Sequence, residues 1–249
     1  LMKAALELAD ADAGGDLLRQ IQSLGIVEQM SWPTAHWPGD NKITPYLLDA
    51  LNLAPAYVEL TPEPHGDGPI RLLNDAANLI GSGAVDVAAI VGGEALRTAA
   101  RQAARESAAQ QQEGKNIPKR DLIREVTEQR AGPFLKQYGL LTATYVYPLY
   151  ENACRAAWGQ SLSQAQQETA EIWSGLSAAA ADNPGAWIRR FHPPEAILAE
   201  SADNRTISFP YRKLMVANSS VNQGAAVILT SQAKAREMGI PENQLVYIG

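Results

Sequence analysis

The sequence predicts an α/β fold with a parallel sheet at its core and a mostly helical segment inserted into the core. Strand-like and helix-like patterns alternate from residue 25 to residue 91, as βαβ units require. Residues 85–91 are nearly all apolar, which is typical of a central parallel strand covered on both faces. Between residues 113 and 204 such strands are missing, and a similar strand pattern returns at residues 224–230.

The elements of the predicted core follow from apolar periodicity and from turn residues. Before the insertion we predict helices at 1–12 and 15–23, a strand at 25–30, a helix at 44–52, a strand at 56–61, a helix at 70–82 and a strand at 86–91. After the insertion, strand 224–230 continues the parallel sheet and helix 231–238 follows it, with Gly239 as its stop. The last residues, 245–249, are typical of the start of another strand.

The inserted segment is rich in Gln, Arg, Glu and aromatic residues, with helical patterns at 121–129, 140–157 and 163–181. The core is therefore discontinuous in sequence. We predict a core domain made of residues 1–112 and 206–249, and a helical domain made of residues 113–205.

Composition excludes several classes of function. The 249 residues are 46% hydrophobic, which suffices for a globular core, and the net charge of −6 argues against nucleic acid as a partner. The densest group of cations is Lys115, Lys119, Arg120 and Arg124. These residues either belong to a solvated loop and helix start, or they contact a phosphorylated ligand or partner. The apolar stretches are far too short to span a membrane.

Cysteine and histidine usage points to a reducing compartment and no metal. The single cysteine, Cys154, excludes an internal disulfide and a cysteine-built metal site, so we expect a cytoplasmic protein. The three histidines, His36, His65 and His192, lack metal-ligand spacing.

The turn between strand 56–61 and helix 70–82 is the most informative feature of the chain. It reads His65, Gly66, Asp67, Gly68, Pro69. Many α/β enzymes mount a nucleophile on such a turn, because the free N–H groups of the first helical turn stabilise an anion there. This turn contains no Ser, Cys or Thr, so it offers a helix N-terminus but no nucleophilic side chain.

Two interpretations of the turn remain open. His65 and Asp67 form an imidazole base with a carboxylate that orients it, or Asp67 serves only as a helix cap or dipole partner. Gly66 and Gly68 are expected to supply φ > 0 or a close backbone approach. Pro69 suits the first helical position.

Two motifs in order carry a resemblance to a known family. Residues 81–95, GSGAVDVAAIVGGEA, resemble the second signature of the thiolase superfamily, in which Gly-x-Glu closes a buried strand. Residues 218–226, NSSVNQGAA, resemble its later Asn-Ala-Ser-Gly-Ile-Asn-Asp-Gly-Ala-Ala segment, and the helix at 231–240 follows as in that family. With residues 209–215 and the 65–69 turn, the chain is most similar to sterol-carrier-protein-thiolase-like proteins of type 1, often named acetyl-CoA acetyltransferases.

The resemblance implies a thiolase-like fold, half of a duplicated βαβαβαββ arrangement, with residues 113–205 as its helical loop domain. The chain then matches the amino-terminal half. A first strand before Leu1 and a carboxy-terminal thiolase half are expected in the full-length protein.

The resemblance also implies acyl-CoA as the ligand. Thiolases attack an acyl-CoA thioester with a cysteine, and counting back from Gly93 and Glu94 places that nucleophile on Gly66. The motifs for the base and the oxyanion hole belong to the other half, so the catalytic residues are unknown. Ser219 and Ser220 match a position near the pantetheine arm of CoA, or they only begin a strand. Asn222 is expected to fix this loop by side-chain to backbone hydrogen bonds.

Residues of the predicted helix 140–157 are interpreted structurally. Cys154 is expected to be buried as a small apolar residue and not to be catalytic. Tyr145, Tyr147 and Tyr150 pack that helix, or one face of it borders the channel for a substrate tail.

Three functions remain open from the sequence. The first is an acyltransferase or lyase that acts on acyl-CoA without the usual cysteine. The second is a non-catalytic CoA or acyl-CoA binding protein, or an assembly subunit, in lipid metabolism. The third is a doubly wound domain that binds another nucleotide or an anion, which the missing Gly-x-Gly-x-x-Gly weakens. We expect no tightly bound cofactor, and both a homodimer and a hetero-assembly stay open.

Overall fold

A computed structural model describes residues 1–30, 43–62, 65–112, 127–128, 131–218 and 221–248. The chain divides into two compact units, Leu1–Pro118 with Ser220–Gly249, and Lys119–Ser219. Residues 206–219 belong to the second unit, because 206–212 form a small hairpin of their own and do not join the main sheet. The domain bounds taken from the sequence placed them with the core, and those bounds stay a prediction.

The elements are named in chain order. Among the described residues the helices are α1 (Met2–Asp12), α2 (Ile43–Leu51), α3 (Gly68–Gly81), α4 (Leu96–Gln112), α5 (Pro133–Gln137), α6 (Ala143–Ala157), α7 (Leu162–Asp182), α8 (Pro194–Leu198) and α9 (Gln232–Glu237). The strands are β1 (Ser23–Ile26), β2 (Tyr57–Leu60), β3 (Val87–Glu94), β4 (Thr206–Ser208), β5 (Tyr211–Arg212) and β6 (Gln223–Thr230).

The first unit is built on a four-stranded sheet in the order β2-β1-β3-β6. Strand β1 is parallel to β2 and to β3, so the predicted βαβ order is confirmed and β3 lies inside the sheet. Strand β6 is antiparallel to β3 from end to end, and the prediction that it continues the parallel sheet is wrong. The chain re-enters the sheet beside the end of β3 and runs back along it, and an apolar strand pattern alone does not reveal direction.

Strand β3 is covered on both faces, as its apolar sequence predicts. Val87, Ala89 and Val91 pack with residues of α1 and α2, whereas Ala88 and Ile90 pack with residues of α3. Each of these side chains is exposed by 5% or less. Because successive strand residues point to opposite faces, this strand holds helices on both sides of the sheet.

Gly25 of β1 lets α3 lie close to the sheet. A Cβ at Gly25 would stand 3.2 Å from Leu72 Cδ2 and 3.4 Å from Leu72 Cβ. Leu72 is only 3% exposed, so its side chain has little room to move. The glycine therefore sets the distance between α3 and β1.

Two predicted elements of this unit are absent from its described residues, and one of its helices was not predicted. The helix predicted at 15–23 is wrong, because Gly14 and Gly15 have positive φ and only a short 3-10 turn, Leu18–Gln20, precedes β1. The strand predicted at 245–249 is also wrong for residues 245–248, which pair with no described strand. Helix α4 was not predicted, although its Ala, Arg and Gln favour a helix, because it carries few large apolar residues and buries small ones, Ala99 and Ala103. The helix predicted at 121–129 lies outside the described residues except for 127–128.

The second unit is held together by a small core and by buried polar groups. Ala170 of α7, Ile197 of α8 and Met215 form the core. Asn204 is 3% exposed, and its Nδ2 donates to the carbonyl oxygens of Ile197 and Ala199 at 2.9 and 2.8 Å. Its Oδ1 accepts the backbone N–H of Leu214 at 2.9 Å.

Tyr211 connects strand β5 to helix α6. Its hydroxyl donates to Glu151 Oε2 at 2.5 Å, and Thr169 Oγ1 donates to the other oxygen of that carboxylate at 3.4 Å. Burial and the neighbouring carboxylate of Glu151 raise the pKa of Tyr211 well above its ordinary value.

We predict that Gly25→Ala lowers the free energy of unfolding by about 1–2 kcal/mol, because the new methyl group overpacks against Leu72. Gly66→Ala is the matched control, since a Cβ at Gly66 meets no atom within 4 Å. It should change stability by no more than about 0.5 kcal/mol. Urea denaturation measures both, and equal stability of the two variants would contradict the close packing of α3.

We predict that Tyr211→Phe costs about 1 kcal/mol at neutral pH, through loss of its bond to Glu151. The folded state favours the protonated phenol, so the bond contributes fully below about pH 10, the ordinary pKa of tyrosine, and less above it. The wild-type protein should therefore lose more stability than the Phe variant as pH rises above about 10. Urea denaturation at neutral pH and at a pH above about 10 tests this. The control is Tyr138→Phe, a change at an exposed tyrosine. Identical pH dependence of the wild-type and Tyr211→Phe proteins would refute the prediction.

Candidate functional site

Three parallel strands end at one edge of the sheet in the first unit. Because β1, β2 and β3 are parallel, their carboxyl ends lie together, and helices α3 and α4 begin from that edge. Ligands of open α/β sheets bind outside this edge. We call it the carboxyl-edge site and define it by these residues: Glu28, Gln29, Met30, Thr61, His65, Gly66, Asp67, Gly68, Glu94 and Asn222.

The segment that follows β1, residues 28–30, is bonded to side chains at this edge. The Glu28 N–H donates to Thr61 Oγ1 at 2.8 Å, and the Met30 N–H donates to Glu94 Oε1 at 2.5 Å. The N–H of Gln29 donates to the carboxylate of Glu28 at 3.0 Å. Three successive amides thus have side-chain acceptors beyond the last paired residue of β1.

Buried polar groups mark the same place. Glu28, Gln29 and Thr61 are exposed by 5%, 8% and 6%. Buried carboxyl and amide groups cost free energy unless they are hydrogen-bonded, and they concentrate at functional sites. Glu28 and Gln29 were not predicted as site residues, because the apolar pattern placed them in strand 25–30. The signal was present, since two adjacent polar residues end a strand that is expected to be buried.

The turn before α3 leaves space at the predicted nucleophile position. Gly66 is exposed, and a Cβ there would meet no atom within 4 Å. A Cβ at Gly68 would stand 3.5 Å from Thr61 Cγ2, an ordinary contact. Neither glycine has positive φ, so that expectation is wrong: the turn enters the helix through right-handed backbone. Pro69 is the second residue of α3, one position later than predicted.

His65 and Asp67 lie at the positive end of α3. The carbonyl oxygen of His65 accepts the N–H of Gly68 at 3.2 Å. Asp67 is the N-cap residue, but its side chain makes no capping hydrogen bond. A carboxylate at this place interacts favourably with the helix dipole. The catalytic pairing of His65 with Asp67 stays a prediction.

Asn222 connects the start of β6 to the start of α4. Its Oδ1 accepts the N–H of Thr98 at 3.2 Å, and its Nδ2 donates to Thr98 Oγ1 at 2.9 Å. The Arg97 N–H donates to the carbonyl oxygen of Val221 at 3.2 Å. The prediction that Asn222 fixes its loop through the backbone is confirmed. These bonds satisfy amides in the first turn of α4.

Some predicted site residues lie outside the described residues. Ser219 and Ser220 directly precede Val221, and their contact with the pantetheine arm stays a prediction. The same holds for His36 and for the four cations of the weak basic cluster, Lys115, Lys119, Arg120 and Arg124.

The aromatic residues of α6 do not pack the helix. Tyr145, Tyr147 and Tyr150 are 46%, 61% and 63% exposed, and Cys154 is exposed as well. The predictions that the tyrosines pack the helix and that Cys154 is buried are wrong, because α6 buries another face, with Pro148 as its buried residue. The alternative, that one face of α6 borders a channel for a substrate tail, stays a prediction. Helical spacing alone does not show which face a subdomain buries.

Neither a metal-binding cluster nor a membrane-spanning helix is found in the described ranges. No group of three or more His, Cys, Asp or Glu side chains in these ranges has the geometry to hold a metal ion. No helix within them is long and apolar enough to cross a membrane.

The chain matches solved structures but no protein-family model and no curated protein. A monomeric SCP2-thiolase like protein type 1 from Mycobacterium smegmatis superposes with a TM-score of 0.67 and 27% identity, over 98% of this chain and 44% of that one. The Ltp2-ChsH2(DUF35) aldolase superposes with a TM-score of 0.63 and 17% identity, over 95% of this chain and 51% of that one. This chain thus spans about half the length of either. It has the thiolase-like fold of the SCP2-thiolase-like proteins, as its motifs predicted.

Proposed function

We propose that this chain binds and handles acyl-CoA at the carboxyl-edge site without forming an acyl-enzyme. The observation that carries the proposal is the glycine at position 66. It stands at the start of α3, where the thiolase resemblance places the nucleophilic cysteine, and the space around it is open. A glycine has no atom that attacks a thioester, yet the helix N-terminus remains beside it.

The chemistry that fits this arrangement is acyl transfer or C–C bond chemistry carried out directly on acyl-CoA, as in an acetyl-CoA acetyltransferase-like protein. The positive end of the α3 dipole suits a thioester carbonyl oxygen that gains negative charge. The site contains one imidazole, His65, and three carboxylates, Glu28, Asp67 and Glu94, all of which have the chemistry for proton transfer. The match to a protein of the SCP2-thiolase-like type 1 supports this class.

A non-catalytic role in an assembly is the second candidate. The observation that favours it is the match to the Ltp2-ChsH2(DUF35) aldolase, whose name joins two components, Ltp2 and ChsH2(DUF35). A subunit of such an assembly would bind CoA and leave the chemistry to a partner. Turnover of an acyl-CoA that is lost in His65→Ala distinguishes the enzyme from this subunit.

We predict saturable binding of CoA and acetyl-CoA by isothermal titration, with Kd below about 100 μM. After incubation with acetyl-CoA, the denatured protein should keep its original intact mass, because Gly66 accepts no acyl group. Absence of heat with both ligands would overturn the proposal, and an acetyl adduct would overturn its non-covalent part.

We predict that Gly66→Cys gives a reactive thiol when Cys154 is replaced by Ser. The open space accommodates the side chain, and the start of α3 favours the thiolate. At about pH 7 the new thiol should react with iodoacetamide about fivefold faster than exposed Cys154 does in the wild-type protein. Equal rates would show that the turn does not act as a nucleophile mount.

A further inference from the structure

The backbone pairing of β1 ends abruptly, and side chains continue it. The last ladder bonds run from Thr61 N–H to the Ile26 carbonyl oxygen at 3.0 Å and from Val27 N–H to the Val91 carbonyl oxygen at 2.9 Å. Beyond Val27, side chains accept the backbone N–H groups: Thr61 Oγ1 accepts that of Glu28, and Glu94 accepts that of Met30. The path of residues 28–30 is therefore set by two side chains, one from each neighbouring strand end.

These acceptors hold buried groups at the edge where the ligand is expected. The anchored amides belong to Glu28 and Met30, and Gln29 lies between them; Glu28 and Gln29 are 5% and 8% exposed. A segment carrying such groups loses its position when its backbone loses its acceptors, since unpaired buried amides are costly.

Thr61 also lies beside the start of α3. A Cβ at Gly68, the first residue of that helix, would stand 3.5 Å from Thr61 Cγ2. One side chain thus lies next to the helix terminus and accepts a hydrogen bond from the segment after β1. A change at Thr61 therefore affects both parts of the carboxyl-edge site.

We propose that Thr61 and Glu94 are positioning residues of the CoA site, which act by fixing residues 28–30 beside the start of α3. This inference rests on the proposed function, because it names the residues that keep that site in its binding-competent shape. In this proposal Glu94, the last residue of β3, accepts a hydrogen bond from the Met30 amide and does not contact the ligand.

Four variants of the full-length protein test this in matched pairs. Thr61→Val keeps the shape and removes the acceptor, whereas Thr61→Ser keeps the hydroxyl. Glu94→Met removes the acceptor, whereas Glu94→Gln keeps an amide oxygen that accepts the Met30 N–H. CoA affinity is measured by isothermal titration, and hydrogen exchange is followed at the amides of Glu28 and Met30.

The proposal expects about tenfold weaker CoA binding in Thr61→Val and in Glu94→Met, with affinity retained in the Ser and Gln variants. Exchange should accelerate at Glu28 in Thr61→Val and at Met30 in Glu94→Met. In the wild-type protein, CoA should slow exchange at residues 28–30, a measurement that needs no variant. Unchanged CoA affinity in Thr61→Val and Glu94→Met, or no effect of bound CoA on residues 28–30, overturns this inference alone. Absence of CoA binding by the wild-type protein overturns the proposed function and this inference with it.

Discussion

The buried strand β3 is the constraint on which the first unit depends. Its residues are apolar on both faces, so the sheet is stable only when helices cover both sides. It pairs in parallel with β1 on one side and antiparallel with β6 on the other. Its end at Glu94 therefore lies beside the end of β1 and the start of β6. The geometry of the carboxyl-edge site follows from this one strand.

At that edge the structure changes from backbone pairing to side-chain pairing. The ladder of β1 stops at Val27, and Thr61 and Glu94 then supply the acceptors. Asn222 connects β6 to the start of α4 in the same way. These polar contacts shape a site in which position 66 is a glycine. The chain thus has the thiolase-like fold without a side-chain nucleophile at that position.

The sequence predicted most of the core, since periodicity and turn residues depend on local physics. It identified β3, the βαβ order and the turn at 65–69. It missed the direction of β6, because an apolar strand reads the same in either direction. It also missed Glu28 and Gln29, because the path of residues 28–30 depends on Thr61 and Glu94, which lie far along the chain. The exposure of the tyrosines of α6 was not predicted either, because burial of a helix face depends on residues far along the chain.

The most direct test is a crystal structure of the protein with CoA. The account predicts that the thiol end of CoA lies beside Gly66, over the carboxyl ends of β1 and β3, with no covalent bond to the protein. CoA bound elsewhere would contradict it. One such place is the cavity of about 660 Å³ lined by residues at the end of α1 and after α9, among them Asp12, Arg19 and Met238.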